Sequence, residues 1–249
     1  MILTRTASLI YDAMLALVYP QACEVCGDSV ESRNLGVACE RCWSATQTFT
    51  NQDTVCWKCG SPTKGGIANG KREQVRCHRC DQNSFTAARA CGLYAGALRA
   101  SVLALKREPY ISPRLEKLLI ETQTRSPLYG STLIVPVPLH PRREKARGFN
   151  QAAVLAHKLA KTTRLPLDEL SLVRTSHSDR HRAGMDAKGR RETVEKAFVV
   201  RYPRLIAGEC VLLVDDVFTT GATVSSCASA LLAAGAKEVF VLTIARTQF

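Results

Sequence analysis

No stretch of this chain is both long and apolar enough to span a bilayer. The nearest is amino-terminal, where Leu9, Ile10, Ala13, Met14, Leu17 and Val18 recur at helical spacing, but Asp12 interrupts the run and it is too short. It reads as a packing helix. A secretory or lipoprotein leader is equally hard to find, because Pro20-Gln-Ala is a poor cleavage context before Cys23, and Cys23 already has a partner in Cys26. No membrane insertion and a cytoplasmic location are expected. Acidic residues are also short: 22 Asp and Glu face 34 Lys and Arg, giving a formal charge of +12 and pI near 9.4. That balance points to anionic substrates or partners.

Cysteine, by contrast, is plentiful. Eight of the eleven fall into four Cys-x-x-Cys pairs: Cys23/Cys26, Cys39/Cys42, Cys56/Cys59 and Cys77/Cys80. Two thiolates at that spacing can face one tetrahedral ion, and two such knuckles complete a Cys₄ site with Zn–S distances of about 2.3 Å. Four knuckles predict two zinc ions. Pairing consecutive knuckles needs the shorter loops. Interleaved pairing, a rubredoxin-like iron at Cys56-Trp-Lys-Cys59-Gly60 and a disulfide framework are the alternatives. Cys91, Cys210 and Cys227 lie outside the pattern and read as small buried side chains. Residues 1 to 81 hold few long apolar runs, so metal binding is expected to supply much of that region's folding free energy. Lys64-Gly-Gly-Ile-Ala-Asn-Gly-Lys71 is a loop by composition.

The most informative segment is Val211-Leu-Leu-Val-Asp-Asp-Val-Phe-Thr-Thr-Gly-Ala-Thr223. Val211 to Val214 is the apolar run of a strand covered on both faces. Asp215 and Asp216 then fall at its carboxyl end, where open α/β sheets bind ligands. Phe218, Thr219, Thr220, Gly221, Ala222 and Thr223 turn the chain into a helix with Val224, Cys227, Ala228, Leu231 and Leu232 on one face and Gly235 as its stop. The first helical turn offers free N–H groups and a positive dipole end, Gly221 allows close approach, and three threonines add hydroxyls, which together suit a phosphate. Carboxylates beside a phosphate would repel it, so they more plausibly accept hydrogen bonds from vicinal hydroxyls. A ribose 5-phosphate satisfies both halves. The segment resembles the 5-phosphoribosyl-1-diphosphate (PRPP) loop of type I phosphoribosyltransferases. In that resemblance Asp215 and Asp216 hold the ribose hydroxyls as the catalytic acids, Phe218 to Thr223 wrap the 5-phosphate, and magnesium accompanies PRPP.

Two basic stretches can flank a diphosphate. Arg142, Arg143, Lys145 and Arg147 follow the strand Thr132-Leu-Ile-Val-Pro-Val-Pro138. The second contains Arg174, Arg180, Arg182, Lys188, Arg190 and Arg191. A solvated basic face is the bland reading of any single one.

The whole pattern resembles the ComF/GntX family of amidophosphoribosyltransferase-like proteins, named for natural competence and DNA utilisation. Beyond the knuckles and the PRPP loop, the resemblance rests on Val135-Pro-Val-Pro-Leu139, Arg147-Gly-Phe-Asn-Gln151 and Thr243-Ile-Ala-Arg246. Asn150 also reads simply as a helix cap. The family usually has glutamine at Arg182 and asparagine at Thr193, so contacts made there are altered in this chain. The implied fold is an α/β, type I phosphoribosyltransferase-like parallel sheet flanked by helices, preceded by a small zinc-ribbon-like domain. The knuckle region is expected over residues 1–90 and the phosphoribosyltransferase-like domain over 91–249, with the boundary inside 82–100. Implied functions are PRPP binding, with Arg142 and Arg147 toward the departing diphosphate, and a role in competence, DNA uptake or use of external DNA, with single-stranded DNA and competence proteins as partners. Trp43 or Trp57 would offer a stacking face, although both read first as small-core residues. Nucleobase salvage by a phosphoribosyltransferase and a non-catalytic PRPP sensor are the alternatives.

Overall fold

The first cysteine knuckle of each pair in the amino-terminal half is built on the same backbone plan. The structure, a computed structural model, describes residues 21–63, 72–175 and 197–248. Cys23-x-x-Cys26-Gly27 and Cys56-x-x-Cys59-Gly60 both close with a glycine N–H bonded to the first cysteine's carbonyl at 2.8 Å, and with left-handed glycines at φ 83 and 70°. Only glycine takes that conformation without strain. The second knuckles begin differently: Cys39 precedes helix α1 (Glu40–Ser44), and Cys77 precedes a 3₁₀ turn, His78–Cys80.

The remaining chain forms one parallel sheet. Strands β1 (Ala87–Leu93), β2 (Leu133–Pro136), β5 (Cys210–Phe218) and β6 (Glu238–Arg246) are ordered β1-β6-β5-β2. The connections carry α2 (Gly96–Leu105), α3 (Pro113–Gln123), α4 (Pro141–Arg147), α5 (Gln151–Thr163) and α6 (Ala222–Ala233). A separate antiparallel pair, β3 (Leu172–Arg174) with β4 (Phe198–Val200), brackets residues 176–196. Arg180, Arg182, Lys188, Arg190, Arg191 and Thr193 lie outside the described residues, as do the amino-terminal helix and the Lys64–Lys71 loop.

Side-chain alternation along the strands builds two cores. Leu212, Val214, Phe240 and Leu242 pack on one face with residues of α2, α3 and α5, whereas Val211, Leu213, Val239 and Val241 pack on the other with α6 and the β3–β4 pair. The knuckles divide likewise. Cys23, Cys39 and Cys42 join the first core, and Cys56, Cys59 and Cys80 join the second. Between them, residues 47–49 lie antiparallel along β1, with Phe49 N–H bonded to Cys91 O at 2.7 Å and Leu93 N–H to Gln47 O at 3.0 Å. A Cβ on Gly92 would sit 2.2 Å from Gln47 O, so this close approach requires glycine. The knuckle region thus covers an edge strand that would otherwise expose unpaired backbone groups. β1 runs through residue 90 and belongs to the parallel sheet.

The expected helix after the acidic pair ends as its sequence requires. Gly235 takes φ 95°, and the N–H groups of Gly235 and Ala236 return to Leu232 O and Leu231 O. Asn150 caps α5, its side chain accepting from Ala152 N at 3.0 Å and donating to Val137 O at 3.0 Å. β5 is longer than the four-residue run in the sequence. β6 is equally long and pairs with it through Phe218, so both acids lie within the strand.

Candidate functional site

The eight knuckle sulfurs form two groups, Cys23/Cys26/Cys39/Cys42 and Cys56/Cys59/Cys77/Cys80, each with its ligand atoms within 4.8 Å of one another. Consecutive knuckles therefore pair. A zinc tetrahedron with bonds of about 2.3 Å has S···S edges of about 3.8 Å. Cys26–Cys39, Cys56–Cys80 and Cys59–Cys77 lie at 3.7, 3.6 and 3.5 Å. Backbone N–H groups of Cys39 and Cys77 donate to Cys23 and Cys56 Sγ at 3.3 Å, favouring thiolate. The Cys56 thiol is pulled down to about 4, first by the Cys59 thiol, with N–H groups of Cys59 and Cys77 assisting against burial. The donor set and spacing fit one zinc per group.

The second site gathers at the carboxyl end of β5. Strand β2 stops opposite Val214, so among the described residues β5 is paired beyond it only with β6, and its other edge has no strand partner beside Asp215 and the buried Asp216. Alternation puts Asp216 on the face of α2 and α5. Its Oδ2 lies 3.3 Å from Lys106 Nζ, just past α2, and accepts from Gln151 Nε2 at 3.4 Å. The Arg147 guanidinium donates in turn to Gln151 Oε1. Asp215 accepts from the Asp216 N–H at 2.9 Å. Burial, and then the Asp216 charge, push its carboxyl up to about 8, while Lys106 pulls the other way.

The turn after β5 has a built floor. Phe218 is buried, stacked edge-on against Phe85 at 5.8 Å, with the Arg246 guanidinium 5.1 Å over its ring. Gly221 takes φ 83°, and a Cβ there would lie 2.7 Å from the Phe218 ring and 3.3 Å from Asn83 Nδ2. Thr219, Thr220, Ala222 and Thr223 are exposed above this floor. Gly221 has no side chain with which to cap α6, and the exposed Thr220 Oγ1 accepts from the first helical N–H, that of Ala222, at 3.3 Å, so that only this one is met by a side chain. The first turn of α6 therefore presents an N–H cradle.

The expected residues are not equally close to this centre. Arg147 is linked to Asp216 through Gln151. Arg142 lies exposed on α4, and its backbone N–H is accepted by His140 Nδ1. Arg174 lies over the Phe198 ring at 5.5 Å. Trp43 offers no stacking face: it is 2% exposed and donates to Leu35 O at 2.9 Å, so it is a core residue. Trp57 is half-buried. Lys106, Asn83 and Phe85 carry no local sequence signal, and Gln151 stood only as the last letter of a motif.

The molecule is thus a double zinc knuckle region joined to a parallel α/β sheet with an acidic, threonine-lined strand end. A double zinc ribbon domain model matches residues 14–81. The chain is 30% identical over 239 residues to the DNA utilization protein YhgH of Escherichia coli K12, covering 93% of this chain and 99% of that protein. Competence protein F of Haemophilus influenzae is 35% identical over 114 residues, covering 45% and 49% of the two chains. Competence protein ComFC of Bacillus subtilis is 25% identical over 234 residues, covering 82% and 89%. The chain belongs to the ComF/YhgH family. Among solved structures, a glutamine PRPP amidotransferase from B. subtilis is similar at a TM-score of 0.38 and 20% identity, over 59% of this chain and 26% of that one.

Proposed function

We propose that this protein binds PRPP at the end of β5 and serves in the handling or use of DNA. The observation that carries the first half is the direct succession of Asp215 and Asp216, a strand edge unpaired beyond Val214, and an α6 amino terminus whose first N–H is met by the exposed Thr220 hydroxyl behind Thr219 and Gly221. The 5-phosphate sits on the N–H cradle, where the helix dipole favours negative charge. The two carboxylates take the ribose hydroxyls. Magnesium accompanies the diphosphate and supplies charge neutralisation there, with Arg147 and Arg142 as the basic groups on its side. Lys106 then loses its present partner to the ligand and becomes a further cation for the diphosphate. The same arrangement serves a transferase or a PRPP sensor. What supports the second half is the naming of the relatives for DNA utilization and competence, and a chain charge of +12.

Calorimetric titration with PRPP, with and without magnesium, tests the site. Wild type should bind, and Asp215→Asn/Asp216→Asn should bind at least tenfold more weakly while remaining folded, the loss expected from a charged hydrogen-bond acceptor. Equal affinities would refute the assignment. Following diphosphate release against a nucleobase panel and single-stranded DNA then separates transferase from sensor.

A further inference from the structure

A cavity lies on the outer edge of β1, with β6 between it and β5, where the knuckle region covers the sheet. It has a volume of about 190 Å³, below the usual range for drug-sized ligands but matched to a small one. Phe49, Trp57 and Val75 give it apolar and aromatic walls, and Arg89 and Arg125 bring two guanidinium groups to it. Arg89 is 8% exposed, donates to Trp57 O and Ala88 O at 2.8 Å, and lies 5.0 Å over the Trp57 ring. Arg125 is half-buried, and neither guanidinium is ion-paired to a carboxylate among the described residues. The nearby Asp53 carboxylate accepts from the Thr50 backbone N–H and hydroxyl. The Arg125 and Arg76 guanidinium groups both repel that of Arg89.

Like charges gathered at a partly desolvated cavity are unfavourable unless an anion joins them. The sulfurs of Cys56 and Cys59 attract Arg89, and the Glu121 and Asp53 carboxylates attract Arg125, but among the described residues no carboxylate comes within ion-pair distance of either guanidinium. A planar wall beside two forked cations is the pairing that nucleotides use: stacking for the base and bidentate donors for the phosphate. We infer that this cavity binds one nucleotide unit, its phosphate on Arg125 and Arg89 and its base against Phe49 and Trp57. The unit is either a free nucleoside monophosphate or one residue of a single strand. The second source would give the DNA half of the proposed function its contact point. The cavity is separated from Asp215 by β6, so the inference stands or falls independently of PRPP binding.

The full-length zinc-loaded protein is titrated with thymidine 5′-monophosphate, inorganic phosphate and a short oligothymidylate, following tryptophan fluorescence. Because Trp43 is buried, Trp57 should carry the quenching, and Trp57→Phe should abolish the signal. Arg125→Gln should weaken binding by about tenfold or more, the loss of a charge-assisted contact, with PRPP affinity unchanged as a control on folding. Asn51→Phe, on the exposed rim, should occlude the cavity and do the same without touching a buried charge or adding a fluorophore. Sensitivity of the monophosphate to both variants identifies a free-nucleotide site. Sensitivity of the oligonucleotide alone identifies a strand contact. No saturable binding of either, affinities unmoved by both variants, or inorganic phosphate binding as tightly as the nucleotide would overturn the inference.

Discussion

On the proposed PRPP site, the Asp215 carboxyl should make binding a function of pH in a direction that can be worked out beforehand. Burial, reinforced by the Asp216 charge, raises it to about 8. Only the ionised form accepts hydrogen bonds from both ribose hydroxyls or favours a nearby magnesium ion. Below about pH 8 that form falls up to tenfold per unit, so Mg-PRPP affinity should drop by up to ~100-fold between about pH 8 and pH 6. The ligand's phosphates also titrate near pH ~6, so the variant Asp215→Asn supplies the reference. It should bind weakly at pH ~8.5 and show only the ligand's own pH dependence. Stability of the free protein runs the opposite way. The folded carboxyl keeps a proton that the unfolded chain has lost between about pH 4 and 8, so this group's contribution to stability is lost as pH rises through that window. At about pH 8 Asp215→Asn should therefore be the more stable protein, by about 1–3 kcal/mol. Calorimetry across pH, paired with chemical denaturation of both proteins, reads both effects. Parallel pH profiles for wild type and variant would refute the reasoning.

Elemental analysis of protein purified without chelator should give two zinc ions per chain, and Cys59→Ser should give one; a value near zero with all thiols free would reject the zinc reading. Thr220→Val deletes a hydroxyl above the Phe218 floor and should weaken PRPP about tenfold, with little change in thermal stability, since its bond to Ala222 N is exposed. Binding of single-stranded DNA should weaken steeply with salt, log affinity falling linearly with log salt as counterions are released. A salt-independent affinity, or none at low salt, would remove nucleic acid from the partners.

The sequence made legible those features whose physics is local. Cys-x-x-Cys spacing fixes a knuckle, an apolar run flanked by acids fixes a strand end, and Gly235 stops a helix whatever surrounds it. The choice between consecutive and interleaved knuckles was open because it depends on how two loops pack, and packing on opposite faces of the sheet decides it. Trp43 and Trp57 have similar sequence surroundings, one residue after a knuckle cysteine in each case. Their fates diverge because α1 turns Trp43 into the core, whereas Trp57 meets Arg89 at the edge of β1. Lys106 could not be found by pattern. It belongs to neither basic stretch, and reaches Asp216 only because the sheet order sets the end of α2 beside β5.

The same tertiary logic ties the zinc ribbon to the turn after β5. Arg246, 2% exposed, donates from Nη1 to the carbonyl of Cys59 and spreads its guanidinium over Phe218, which in turn supports Gly221. From the other side Ser84 N–H donates to Ser225 Oγ at 3.0 Å, and its hydroxyl meets Ser229 Oγ at 2.6 Å, so the chain leaving Cys80 is fastened along α6. A zinc ion that orders Cys56, Cys59, Cys77 and Cys80 consequently orders the floor and one wall of the turn. Loops that are rigid before the ligand arrives lose less conformational entropy on binding. The knuckle region is expected to draw much of its folding free energy from metal, and on the proposed function the turn needs fixed N–H groups to hold a phosphate. Metal coordination answers both requirements through one buried arginine.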